Sequence, residues 1–129
     1  MRLILPLLFL MLGVSAALAQ APAKAPVSDE VKKLLLEARD MRIKQRYTDA
    51  LEKLDAAEKL NPNLADIYAL RGDIYLAPRR RDFDLALPQF EKAAQLQPES
   101  PLPKFNLAEF YFVKHDFTTA LQSFNKLAT

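Results

Sequence analysis

Residues able to do chemistry are few in this 129-residue chain. The single histidine, His115, lies between Lys114 and Asp116 in a predicted turn. Metal or acid–base work there would need a partner, and the chain has no second His and no Cys to share a site. His115 is therefore read as a solvated turn residue. The lack of Cys also removes disulfides, thiol catalysis and an N-terminal lipid-anchored cysteine. Arg79-Arg80-Arg81 is the densest charge run and would suit phosphate or an acidic partner. Asp82 and Asp84 flank it, which suits a soluble loop better. Gly72 is the one glycine beyond the N-terminal stretch and falls inside a helical pattern, so no glycine-rich loop cradles phosphate. Pro88 falls in the first turns of a helical pattern, where a missing N–H costs least. No catalytic residue, cofactor or metal site is expected.

The elements around these residues come from composition and periodicity. The chain is 50% hydrophobic, a fraction raised by its first stretch, and its formal charge of +2 is close to neutral. That balance disfavours nucleic acid or an anionic membrane as the main partner. Met1-Arg2 followed by the apolar run Leu3–Leu12 and the small-residue ending Ala17-Leu18-Ala19 reads as a bacterial secretory signal over residues 1–19. The run is too short for a membrane span, which needs about 20 residues. Cleavage is expected after Ala19, the destination being the periplasm or beyond; an uncleaved anchor is the alternative. Residues 20–28 read as a disordered Ala/Pro linker.

Residues 29–129 repeat one pattern. Tyr47, Phe83 and Phe117 are each followed three residues on by Ala50, Ala86 and Ala120, then by Leu54, Phe90 and Phe124. This is one face of a helix. The alanines stand 36 and 34 residues apart. Each such helix follows another amphipathic segment, over 31–44, 65–77 and 101–114. In these first helices Ala38, Gly72 and Ala108 hold one common place, where a small residue allows close approach to Ala50, Ala86 or Ala120. Ser28 is a candidate N-cap, with Asp29 and Glu30 complementing the helix dipole. Asn61-Pro62 and Gln97-Pro98 end the second helices.

Ala69–Tyr75, Phe105–Tyr111 and Leu87–Ala93, with Pro62 and Pro98 at unit ends, resemble the tetratricopeptide repeat, a helix–turn–helix unit of 34 residues. The resemblance covers 31–64, 65–100 and 101–129, the last incomplete. It implies an all-α, right-handed solenoid of about three hairpins. The usual Trp of the family is here Leu34, Tyr68 and Lys104, and its usual Leu is Glu37 and Arg71 in the first two units. Two extra residues within 77–82 lengthen the second unit's turn.

The resemblance also implies a ligand groove lined by the first helices. Its positions carry over to Lys32, Leu35, Arg39 and Arg42 in the first unit. They become Asp66, Ala69 and Asp73 in the second, and Leu102, Phe105, Glu109 and Phe112 in the third. Such a groove runs from basic through acidic to aromatic. A plainer reading pairs Arg39 with Asp73 and makes Phe105 and Phe112 partly core. Arg39 and Asp73 depart from the family's Lys/Asn/Arg carboxylate clamp, so chaperone-tail binding is not expected.

Leu121, Phe124 and Leu127 leave an apolar face on the last helix. Two explanations are open: the sequence is a fragment of a longer repeat protein, or helix Phe117–Ala128 docks onto a partner or a second copy. The expected function is a non-catalytic, exported scaffold or adaptor in the bacterial envelope that binds a protein or peptide, with no nucleic acid and no small-molecule substrate. Phe105 and Phe112 are its expected anchors. The alternative is the repeat region of a longer exported enzyme or secretion component.

Overall fold

The computed structural model describes residues 25–129; the expected signal at 1–19 and most of the linker lie outside them. Six helices follow in order: α1 (Asp29–Ile43), α2 (Tyr47–Leu60), α3 (Ala65–Leu76), α4 (Phe83–Leu96), α5 (Pro101–Val113) and α6 (Phe117–Ala128). The described residues contain no strand. The helices pair as α1/α2, α3/α4 and α5/α6, and each hairpin touches only its neighbours, through α2 on α3, α4 on α5 and first helix on first helix. This linear stacking is consistent with a solenoid.

Local signals account for the ends. The Ser28 hydroxyl accepts from the Val31 N–H at 3.3 Å, and the Asp116 carboxylate accepts from the Thr119 N–H at 3.1 Å. Asn61 and Gln97, each just before a proline, are the C-caps of α2 and α4. Val27, at the end of the expected linker, packs against the core. Pro88 departs from expectation: it sits inside α4, beyond the first turn, so its missing N–H removes a rung of the helix ladder.

The three helix–helix turns share one device. Gln45, Arg81 and His115 take left-handed φ values of 59°, 48° and 66°. The next residue's N–H then reaches back into the first helix: Arg46 to the Met41 carbonyl at 2.8 Å, Asp82 to Tyr75 at 2.9 Å, and Asp116 to Tyr111 at 2.9 Å. The middle turn closes on the equivalent carbonyl although it holds two more residues. The backbone N–H groups of Arg80 and Arg81 donate to the Ala77 carbonyl, so the insertion is looped out while the closure stays.

Two apolar clusters run through the stack. One joins α1, α2 and α3 around Val31, Leu54, Ile67 and Ile74; the other joins α4 and α5 around Phe90 and Phe110. Ala38, Ala50, Ala86, Ala108 and Ala120 are all buried, as close approach of the helices requires. Gly72 answers to a different neighbour than expected, for a Cβ there would lie 2.7 Å from the Phe90 ring.

Between the clusters lies Arg71, the only buried charged residue among those described. Its guanidinium donates to Asp55 at 2.9 Å, Glu58 at 2.7 Å and Gln89 at 3.3 Å, and lies over the Tyr68 ring. The single Tyr68 hydroxyl proton lies within reach of two acceptors, the Pro62 carbonyl at 2.6 Å and the Glu58 carboxylate at 3.1 Å. Desolvation opposes ionisation of Glu58, but the bonds and charge of Arg71 overcome it, aided by Tyr68 and Lys92. Its pKa is held below the ordinary value. The stability this contributes is present above the ordinary Glu range and is lost as pH falls through the lowered value.

Gly72→Ala tests the close approach. Phe90 is wedged against Phe110 and has little room to give, so overpacking costs about 1–3 kcal/mol. Improved helix propensity offsets about 1 kcal/mol of that. Thermal melting is expected to show a fall of several degrees; an unchanged or raised midpoint rejects the tight contact.

Candidate functional site

The first helices α1, α3 and α5 succeed one another along one side of the stack, and all eleven expected groove positions lie on them. They gather into separate patches. Arg42, Asp73 and Glu109, one from each helix, meet around an open pocket of about 310 Å³. Leu76, Ala77, Pro78, Arg81 and Val113 complete its wall. Lys32, Arg39 and Asp66 border a second opening of about 330 Å³ with Leu36, Leu64 and Val27. Leu35 lies at the same opening but is only 5% exposed and packs in the core, leaving little for a ligand. Ala69 is half-buried and packs against the same core.

Arg39 does not pair with Asp73. Its closest carboxylate is Asp66 at 3.9 Å, and both side chains are half exposed, a weak surface interaction. Asp73 instead sits half-buried. Burial pushes its carboxyl above the ordinary range; the charge of Arg42 pulls it down, Glu109 pushes it up again and Arg39 pulls it down. Desolvation prevails because none of these charges forms a close ion pair with it.

Phe105 and Phe112 leave this charged groove and join α6. Phe105 meets Phe124 edge-on at 5.7 Å, and Phe112 meets Phe117 at 5.5 Å. Both keep about half their surface in solvent. Leu102 and Phe105 lie on one face of α5, one turn apart, and Leu102 is 61% exposed.

Arg81 is the pocket residue that sequence reasoning passed over. The arginine run divides three ways. Arg79 is exposed; Arg80 pairs with Asp82 at 2.9 Å and lies over the Tyr75 ring; Arg81, in its left-handed conformation, reaches the pocket wall. The available signal was the two-residue insertion, which lengthens this turn beside α3. His115 occupies the equivalent turn position of the last hairpin and stacks edge-on against Phe117 at 5.7 Å.

Comparison with known proteins adds the family. A TPR repeat model matches residues 39–77, and a model described as YpiA-like, tetratricopeptide repeats, matches residues 83–129. Both models describe tetratricopeptide repeats. No curated protein matches the chain. The two matched stretches carry Arg42 and Asp73 in one and Glu109 in the other, so the pocket lies between repeats. Tetratricopeptide repeats act as non-catalytic protein-interaction modules. A pocket of two guanidinium and two carboxylate groups fits that use, since it can hydrogen-bond and ion-pair with a polypeptide.

Asp73→Asn tests the electrostatics of the pocket. Folded Asp73 holds its proton more tightly than the unfolded chain does. The penalty for ionising it is absent below the ordinary value near 3.8 and grows as pH rises through the raised folded value. The variant is therefore expected to melt above the parent at neutral pH, with the advantage fading in acid. An advantage that is equal at both pH values rejects the assignment.

Proposed function

We propose that this chain is an exported, non-catalytic scaffold or adaptor of the bacterial cell envelope. In this reading the hairpins wind as a right-handed solenoid, and its concave groove binds an extended or helical protein segment. The observation that carries it is the half-buried carboxylate of Asp73, which lies between Arg42 and Glu109 at an open pocket and forms no close ion pair. An ionisable group that costs the fold stability and lines a cleft is a mark of ligand contact. The bound segment would present a basic side chain to Asp73 and Glu109 and an acidic group to Arg42 and Arg81. The basic Lys32 and Arg39 would extend the track along α1.

A random peptide library screened against the purified chain tests this reading. Selected peptides are expected to carry charges of both signs. Asp73→Asn and Arg42→Glu should each weaken them about tenfold or more, the effect of losing a charge-assisted hydrogen bond. Failure to select any peptide, or equal binding by both variants, rejects the groove. The export half is tested separately by N-terminal sequencing of the protein made in a bacterium with a periplasm, where Gln20 is the expected first residue. Protein that retains Met1 and stays in the cytoplasmic fraction sinks that half alone.

A further inference from the structure

Equivalent positions in the three hairpins do not share one environment. Leu51, Leu87 and Leu121 stand at the same place in α2, α4 and α6, 36 and 34 residues apart. Leu51 packs on the cluster shared with α3, and Leu87 on the cluster shared with α5. Leu121 is 61% exposed. Tyr47, Phe83 and Phe117 show the same contrast: the first two pack on those clusters, while Phe117 is 55% exposed. Phe117, Leu121 and Phe124, with Phe112 of α5, enclose an apolar depression that none of the described residues covers.

We infer that this face pairs with the same face of a second copy, giving a two-fold symmetric dimer centred on α6. Leu102, Phe105, Phe112, Phe117 and Leu121 each expose about half of their surface or more. That is about 100 Å² apiece, so two copies meeting remove about 1,000 Å² from water, the lower bound for a specific interface. The face suits its own image because α6 carries no acidic residue and its only charge, Lys126, lies on the far side, in the cleft with Lys104 and Tyr111. Along α6, like charges therefore do not oppose one another across the axis.

Head-to-tail stacking is disfavoured by the opposite end. There Glu37 takes the place that Arg71 holds in the second repeat, and it is bridged to Lys53 at 2.7 Å and Lys33 at 4.0 Å. Covering that end with an apolar face would desolvate the bridge without a new partner. A symmetric pair closes at two copies, whereas head-to-tail contacts would continue into a filament.

The chain has no cysteine, so one introduced thiol reports the contact cleanly. Leu121→Cys lies near the two-fold axis and is expected to give a disulfide-linked dimer on air oxidation. Leu36→Cys, equally exposed but on α1, should not. Light scattering of the full chain should give twice the chain mass at micromolar concentration, and Leu121→Asp should halve it with helicity by circular dichroism unchanged. Four results each overturn the pairing: a monomeric parent, a filament, an oligomer that Leu121→Asp leaves intact, or a Leu121→Cys variant that links only to a different protein.

Discussion

The guanidinium of Arg71 fixes how one hairpin meets the next. It sits in α3 and binds Asp55 and Glu58 of α2 on one side and Gln89 of α4 on the other. An apolar side chain there would bury area as well, but dispersion contacts change little when one helix slides along another. The planar fork of donors is satisfied in one register only. Burying the charge is tolerable because every buried side-chain polar atom among the described residues has a partner. With α3 held in place, Gly72 can receive the Phe90 ring and the second apolar cluster can form around Phe90 and Phe110.

That ordering also builds the pocket. Asp73 is two residues beyond Arg71 on α3, so the helix rotation that buries Arg71 brings Asp73 toward α1 and α5. The turn after α3 keeps the closing bond from Asp82 to Tyr75 while looping out its extra residues, which sets Arg81 against the same opening. Two charges on one helix differ here: Arg71 is buried and fully answered by partners, whereas Asp73 is half-buried and is not. The carboxylates show the same contrast, for Glu58 beside Arg71 is held below its ordinary pKa and Asp73 is pushed above it.

The two ends of the stack differ in kind. The first hairpin presents ion pairs around Glu37, and the last presents phenylalanines and leucines. Placing Phe105 and Phe112 with α6 removes them from the charged track and makes the groove more polar than its first-helix pattern implies.

Much of the architecture was legible in order along the chain. Helix periodicity, the prolines after Asn61 and Gln97, the Ser28 cap and the recurring alanines act within about four residues or repeat at regular spacing. Sequence alone therefore determined the helical hairpins of the described residues and, to within about two residues, their ends. The pairing of Arg39 with Asp66, the burial of Leu35, the contact of Gly72 with Phe90 and the hub at Arg71 were not legible. Each depends on side chains brought together from different helices. Only the tertiary structure decided them, because it sets the distance and rotation between helices, and those determine which charges are answered and which are not.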